Sequence, residues 1–145
     1  MKKILPILCL TLIFIQCKTA QQPASAAATA TLENTYWKLA EMNGQPVITP
    51  TDAREVHMIL GPMGTEKQIK GFAGCNTIGG SYSTDGSKIK FVTLSTKMFC
   101  EDTQDVENFF LKVLSQADSY KINGQTLELY QGGTLLAPFT AVYLK

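Results

Sequence analysis

The chain has 145 residues, of which 45% are hydrophobic and 17% are charged, and this is enough apolar material for one ordinary domain with its own core. Its 13 basic and 12 acidic residues give a formal net charge of +1. This balance argues against a nucleic-acid-binding surface and against a polybasic patch for membrane lipids.

The first 16 residues are predicted to be an export signal. Two lysines precede an apolar run over residues 4–15, which is shorter than the roughly 20 residues that a membrane-spanning helix needs. Cys17 follows this run almost directly, as in bacterial lipoprotein signals, so we expect cleavage before Cys17 and lipidation of its sulfur. Ordinary secretion is the alternative, because residues 14–16 are bulkier than those of the usual lipoprotein signal.

Lipidation of Cys17 would place the protein in the bacterial cell envelope. Acyl chains hold a protein to a bilayer because each buried methylene contributes about 0.8 kcal/mol. Lys18, where other signals have aspartate, favours the outer membrane, at either of its faces. Residues 18–31 are small and polar and cannot bury enough apolar area to offset the entropy of ordering. We therefore predict a flexible tether over residues 17–33.

The folded domain is predicted to run from residue 34 to residue 145 and to begin with a half-buried strand. Large apolar and polar residues alternate over residues 35–42 and place Trp37 and Leu39 on one face. Asn43-Gly44 then predicts a tight turn, and the prolines that follow favour a loop.

A second strand is predicted over residues 55–60, stopped by the segment Gly61-Pro62-Met63-Gly64. His57 is the only histidine of the chain and alternates with apolar neighbours, so we expect it to be exposed or at an edge. A Cys-His or Ser-His-Asp catalytic site would have to use His57. The local sequence places no nucleophile beside it, which argues against such a site.

Three further strands are predicted between residues 68 and 92. Gly71 and Gly74 flank the end of the first, and their spacing indicates a close backbone approach or a positive φ angle. No lysine or serine follows these glycines as a phosphate-binding loop requires. The strands cover residues 68–73, 78–82 and 88–92, with a hairpin turn at Asp85-Gly86.

One well-formed helix is predicted over residues 103–116. Asp102 or Thr103 is a suitable N-cap, and Asp105 and Glu107 lie in the first turn, near the positive end of the helix. Capping and dipole complementarity explain these acidic residues more simply than a catalytic acid pair. Apolar residues at helical spacing form one stripe: Val106, Phe109, Phe110, Val113, Leu114 and Ala117.

Three last strands complete the pattern, over residues 119–122, 126–130 and 135–144, and Pro138 limits the final strand to an edge or a bulge. Many short, mainly antiparallel strands and a single helix indicate an α+β fold. We expect one compact domain in which one main helix packs on a curved sheet.

Cys75 and Cys100 are the cysteines that are left once the signal peptide and Cys17 are set aside. In an oxidising compartment such a pair is expected to form a disulfide, here closing a loop of about 25 residues. The alternative is two small buried thiols that merely pack. Neither a Cys-x-x-Cys spacing nor a nearby histidine is present, so we expect no metal site and no cofactor.

The order of these segments resembles the META domain family, the family of the HslJ-like bacterial heat-shock proteins, over roughly residues 34–145. The most specific matches are Gly71-Phe72-Ala73-Gly74-Cys75-Asn76 and Thr96-Lys97-Met98-Phe99-Cys100. Phe99 is a departure, because the family usually has alanine at this place. The other matching segments are Trp37-x-Leu39, residues 43–47, residues 80–82, Glu107 with Phe110 and Leu114, and Leu127-x-Leu129.

The resemblance implies a curved mixed sheet with a helix packed on it, envelope or secreted placement, and an association with stress response. It implies no enzyme, since no activity or catalytic residue is established for the family. The positions carried over are therefore structural ones: Trp37, Gly71, Gly74, Cys75, Asn76, Thr96, Met98, Cys100 and Glu107.

We therefore expect a non-enzymatic, monomeric envelope lipoprotein that acts as a structural or interaction module in stress tolerance and contacts the membrane through Cys17. The alternative is a small-ligand or peptide-binding module that uses the concave face of the sheet with Trp37, Tyr82 or Tyr130. A redox or hydrolytic enzyme using one of the two remaining cysteines is a third possibility.

Overall fold

Ten strands and one α-helix follow one another in the computed structural model, which describes residues 28–143. The strands are β1 (Tyr36–Leu39), β2 (Glu41–Met42), β3 (Gln45–Pro46), β4 (His57–Met63), β5 (Glu66–Phe72), β6 (Thr77–Asp85), β7 (Lys88–Ser95), β8 (Ser119–Asn123), β9 (Thr126–Gln131) and β10 (Thr134–Val142). A 3₁₀ turn (Glu101–Thr103) leads into the helix α1 (Gln104–Gln116).

Eight of the strands close into a barrel in the order β1-β10-β9-β8-β7-β6-β5-β4. β2 and β3 form a separate hairpin around Asn43 and Gly44, both with positive φ angles. The predicted α+β fold, a mainly antiparallel sheet with one helix packed on it, is confirmed. The structure differs from the prediction in two respects. The sheet curves so far that it closes into a barrel. The strand pairings described are all antiparallel, whereas the resemblance implied a mixed sheet.

The barrel has a seam between β7 and β8. These strands share the single residue pair Lys88–Ser119, extended by a hydrogen bond from the Ile89 N–H to the Asp118 carbonyl oxygen (3.0 Å). The helix α1 packs beside this seam, against β7 and β9. Its predicted apolar stripe is the buried face, through Phe110, Val113 and Leu114. The apolar face of the helix therefore covers the core at the place where β7 and β8 are only partly paired.

The core fills the barrel with the inward-facing residues of the alternating strands. Trp37 and Leu39 are fully buried, as the alternation along β1 predicts. The Phe110 ring of the helix meets the Phe139 ring of β10 at a centroid distance of 6.0 Å, which joins the helix to the barrel interior.

β4 runs further than predicted, through Gly61 and Pro62 to Met63, and the chain turns at Gly64 instead, where φ is +64°. The predicted strand end at residue 60 was wrong, although Gly64, the last residue of the predicted stop segment, does make the turn. Pairing with β1 ends at Ile59, and the Leu60 carbonyl oxygen accepts a last hydrogen bond on that side from the Asn34 N–H. From Gly61 to Met63, β4 pairs only with β5. A proline, which has no N–H, is tolerated on such a free edge.

Gly71 is a position where two strands approach too closely for a side chain. It pairs with Met58 on β4, and a methyl group built on its Cα would overlap the carbonyl oxygen of His57. We expect Gly71→Ala to lower the free energy of unfolding by about 2–3 kcal/mol, because the strands must shift apart. Gly79→Ala is the matched control, since a methyl group there meets no atom within 4 Å. Urea unfolding of both variants tests this, and equal midpoints would contradict the close approach.

Residues 30–35 form a segment, here called the strap, that lies across one end of the barrel. The Ala30 N–H donates to the Gly124 carbonyl oxygen (2.8 Å), and the Asn34 N–H donates to that of Leu60 (2.7 Å). Ala30 itself is buried. Ordered packing thus begins before residue 34, the boundary that composition predicts, because Ala30 is small enough to enter the core.

The predicted signal peptide, Cys17 and the first part of the tether lie outside the described residues. Within residues 28–143, no helix has both the length and the apolar character needed to cross a membrane.

Candidate functional site

Cys75 and Cys100 form a disulfide with a Cα–Cα distance of 5.8 Å. It ties the segment that follows β5 to the segment that leads into the helix. We call the region formed by residues 71–76 and 96–100 the corner. At Gly74 the φ angle is +127°, and a methyl group there would press on Val106 and Thr103 of the helix start. The corner and the helix start are therefore in direct contact.

Asn76 is the centre of the hydrogen bonding within the corner. Its Oδ1 accepts from the Thr96 hydroxyl (2.8 Å) and from the Met98 N–H (2.7 Å). Its Nδ2 donates to the Met98 carbonyl oxygen (2.8 Å) and to Glu107 Oε1 (2.7 Å). An asparagine amide has two donor hydrogens and two acceptor lone pairs, and here all four are used. Asn76, 2% exposed, thus holds the two halves of the corner together.

Glu107 reaches the same corner from the helix. Its Oε2 accepts the N–H groups of Cys75 (3.1 Å) and Asn76 (2.9 Å), and its side chain is buried. Dipole complementarity at the helix start is therefore an incomplete explanation of Glu107. The sequence contains a hint of this different role. With Thr103 as the N-cap, the residue that could cap the helix by the capping-box pattern is Val106, so Glu107 is one residue too late to do so.

Thr103 is the N-cap residue, as one of the two predicted candidates, but its hydroxyl makes no capping hydrogen bond. Asp102 lies in the 3₁₀ turn, and Asp102 and Asp105 are both exposed. Asp102 and Asp105 thus face solvent, and only Glu107 takes part in the buried hydrogen-bond network. This arrangement is not an acid pair.

His57 is buried, with 3% of its surface exposed, and the prediction of an exposed or edge position was wrong. The ring stacks on Tyr36 at a centroid distance of 4.2 Å, and Nδ1 is 2.8 Å from the Glu55 carbonyl oxygen, to which it donates. Strand alternation fails here because Tyr36 covers the outward face of the ring. Burial lowers the pKa of His57, helped by the charge of Arg54 and opposed by the hydrogen bond to Glu55.

The stability of the protein is expected to fall as the pH drops below about 6.5, the pKa of an unfolded-state histidine. The folded state holds His57 neutral with a lowered pKa, so below 6.5 the unfolded state binds more protons. The urea midpoint should therefore be constant above this pH and decrease between pH 6.5 and 5. His57→Gln should remove the decrease, and a wild-type midpoint that stays flat in this window would contradict the expectation.

The aromatic residues proposed for a concave binding face lie in different surroundings. Trp37 is fully buried, and its Nε1–H donates to the Leu32 carbonyl oxygen (3.0 Å). Tyr82 is buried too, and its hydroxyl donates to Glu33 (2.7 Å); burial and this carboxylate raise the Tyr82 pKa. Tyr130 is half-buried and donates to Glu128. Trp37 is therefore part of the core and contributes no open surface.

A cleft of about 470 Å³ lies between the segment 42–56, the corner and the helix start. Its walls are mainly apolar, and Arg54, Asp102 and Thr103 are among its polar lining residues. Val47, Phe72 and Val106 are among its apolar lining residues. Among the residues that the structure describes, no group of three His, Cys, Asp or Glu side chains is placed to hold a metal ion.

Comparison with known proteins gives one family and two solved structures. The family model of the META domain matches residues 30–142. An NMR structure of a protein from Burkholderia xenovorans is 22% identical, with a TM-score of 0.62, over 97% of this chain and 100% of its own. A second NMR structure is 18% identical, with a TM-score of 0.59, over 77% of this chain and 94% of its own. At these identities the two structures support the fold alone. No curated protein matches the chain.

Proposed function

Because the chain belongs to the META domain family, we propose that it is a non-enzymatic lipoprotein of the bacterial cell envelope whose domain acts as a structural or interaction module. The observation that carries this proposal is that the polar and sulfur groups of the corner are already bonded to other parts of the domain. Cys75 is in a disulfide, all four hydrogen-bonding capacities of Asn76 are used, and Glu107 accepts three hydrogen bonds. The most polar buried cluster of the domain is thus committed to holding backbone segments in place.

The corner also supports a non-redox role for the two cysteines. A reactive cysteine needs an accessible thiolate, and Cys75 is only 6% exposed. His57 is buried, with 3% of its surface exposed, and is stacked on Tyr36, so its ring is shielded from an incoming substrate. A side chain in this state is poorly suited to serve as a general base for a nucleophile.

Membrane attachment through Cys17 is supported by the export signal and by the cysteine that directly follows it. We expect an acylated Cys17 in the intact mass of the membrane-extracted protein and release of a Cys17→Ala variant from the membrane fraction. Cys9→Ala is the matched control, since Cys9 lies within the predicted signal peptide and is removed with it. A Cys17→Ala variant that stays in the membrane fraction would place the anchor elsewhere.

A role in stress tolerance rests on the family resemblance and needs a cellular test. A strain that lacks the protein should grow less well than its parent under heat or envelope stress. The wild-type gene should restore growth, and Cys17→Ala should restore it less, since the domain would no longer be held at the membrane. Equal growth of the deletion strain and its parent under all stresses would contradict this part of the proposal.

A second candidate function is a binding module, and the cleft beside the corner favours it. The cleft has the size of ordinary small-molecule sites, which range from about 300 to 1,000 Å³. It is formed by other residues than the aromatic ones that the sequence pattern suggested, with Phe72 of β5 as its aromatic wall.

A further inference from the structure

The cleft combines apolar walls with one cation. Val47, Phe72 and Val106 come from three separate parts of the chain and meet here, at the corner. Val106 is the first residue of the apolar stripe of α1, whose later residues fill the barrel, and Phe72 is the last residue of β5. The Phe72 and Val106 walls are therefore held close to each other by the disulfide and by the Glu107 hydrogen bonds. Val47 is held separately, by donation of its N–H to the Ala40 carbonyl oxygen (2.9 Å).

Arg54 is the cation, and its charge is not neutralised by a neighbouring side chain. Its guanidinium lies over the Phe72 ring, 4.9 Å from the centroid. Within residues 28–143, no carboxylate oxygen comes within 4.0 Å of it. The adjacent Glu55 is paired instead with Lys38, at 2.6 Å. The contact with the ring orients the planar guanidinium and leaves its N–H groups available for a bidentate acceptor.

Two polar residues of the lining, Asp102 and Thr103, differ in how they affect ligand binding in the cleft. Asp102 lines the cleft and is exposed, so it repels an anion and limits affinity. Thr103 Oγ1 is shielded from solvent and has no hydrogen-bond partner among the described residues. This oxygen is closed to an occupant of the cleft as it is to solvent, so it adds no polar contact to the site.

We propose that this cleft binds a small amphipathic monocarboxylate, with the carboxylate on Arg54 and an apolar body against Phe72, Val47 and Val106. The proposal rests on the binding-module function given above. A carboxylate matches the planar N–H fork of arginine, and an apolar body matches walls that offer few polar atoms. The mainly apolar walls and the single cation favour this ligand class over a sugar or a polyphosphate.

The test uses 4-phenylbutyrate as the probe and 4-phenylbutanamide as its neutral counterpart. The full-length protein in a nonionic detergent is titrated with each, and amide chemical shifts are followed by NMR. We expect saturable shifts at Val47, Phe72 and Val106 with the carboxylate, and binding of the neutral amide at least about tenfold weaker. The amide loses the charge-assisted hydrogen bonds to Arg54, and a tenfold difference corresponds to about 1.4 kcal/mol.

Three variants assign the site. Arg54→Gln should weaken binding of 4-phenylbutyrate by about tenfold or more, because the charged partner is lost. Asp102→Asn should strengthen binding, because a like charge is removed, and a gain of affinity cannot come from unfolding. Lys112→Gln is the matched control for loss of a positive charge, since Lys112 is exposed on the helix and does not line the cleft.

Shifts elsewhere on the domain, equal binding of acid and amide, or an unchanged Arg54→Gln affinity would each overturn the proposal. Membrane release of the Cys17→Ala variant is measured separately. Failure of the cleft proposal therefore leaves the envelope proposal standing, and the reverse also holds.

Discussion

Replacing Glu107 by leucine is expected to lower the free energy of unfolding by about 4 kcal/mol. The carboxylate accepts three hydrogen bonds, from the N–H groups of Cys75 and Asn76 and from Asn76 Nδ2. Leucine leaves all three donors without this partner in a largely buried region. Each buried donor without a partner costs roughly 1–3 kcal/mol, and partial relaxation of the corner reduces the sum.

Glu107→Gln separates hydrogen bonding from packing. Glutamine keeps the shape and one acceptor oxygen but turns the other position into an N–H₂ group that faces a donor. We expect a loss of about 2 kcal/mol, intermediate between wild type and leucine. Asp105→Asn is the matched control, because Asp105 is an exposed acid of the same first helical turn.

Urea unfolding followed by circular dichroism measures all three variants. Asp105→Asn should remain within about 0.5 kcal/mol of wild type, as substitutions at exposed sites usually do. If Asp105→Asn and Glu107→Gln cost the same, the charge at the helix start explains Glu107, and the hydrogen-bond explanation is wrong.

Removal of the disulfide is expected to lower the free energy of unfolding by about 3.5 kcal/mol, on the chain-entropy account of a loop of this size. The bridge joins residues 25 apart and encloses the β6–β7 hairpin, so its loss frees that whole segment in the unfolded chain. The double variant Cys75→Ala/Cys100→Ala should show this loss in buffer without reductant. Wild-type protein should approach the same midpoint once the bridge is reduced.

The double variant is also the control for the reductant, because it has no bridge and its midpoint should not respond. The Asn76 hydrogen bonds still link the two halves of the corner when the bridge is absent. The variant should therefore remain folded, with the circular dichroism spectrum of the wild type. A wild-type midpoint that does not move on full reduction would show that the bridge restricts the unfolded chain less than its loop length implies.

The parts of the fold that follow from the sequence are those set by local periodicity. Alternation along β1 places Trp37 and Leu39 in the core, and helical spacing defines the buried face with Phe110 and Leu114. Gly71 signals close approach by its lack of a side chain. In each case the pattern of residues within one strand or helix is enough to predict which side chains are buried or absent.

The parts that do not follow depend on contacts between distant segments. His57 is buried because Tyr36 of another strand stacks on it. Pro62 is accommodated inside β4 because β1 ends opposite Ile59. Glu107 finds its donors 31 and 32 residues earlier in the chain. Closure of the barrel likewise depends on β1 pairing with both β4 and β10, which no local pattern encodes.

Of the candidate site, the corner could be predicted from the sequence and the cleft could not. Its cysteines, glycines and Asn76 stand out in the sequence by residue type and spacing, and the disulfide between Cys75 and Cys100 is present as predicted. The cleft does not stand out, because much of its lining comes from residues 42–56, whose prolines indicate only a loop. Apolar residues in a loop reveal a binding surface only when the neighbouring walls are known.

The position of β1 between β4 and β10 gives the domain a strong and a weak direction under mechanical force. A pull along β1 through the strap first loads its two backbone hydrogen bonds and then shears the hydrogen bonds on both sides of β1 together. A pull between the two ends of the chain instead starts at the Tyr36–Val142 pair and opens the β1–β10 ladder one bond at a time. On the proposed attachment through Cys17, tension on the tether would load the domain in the first way, which is the arrangement that resists force best.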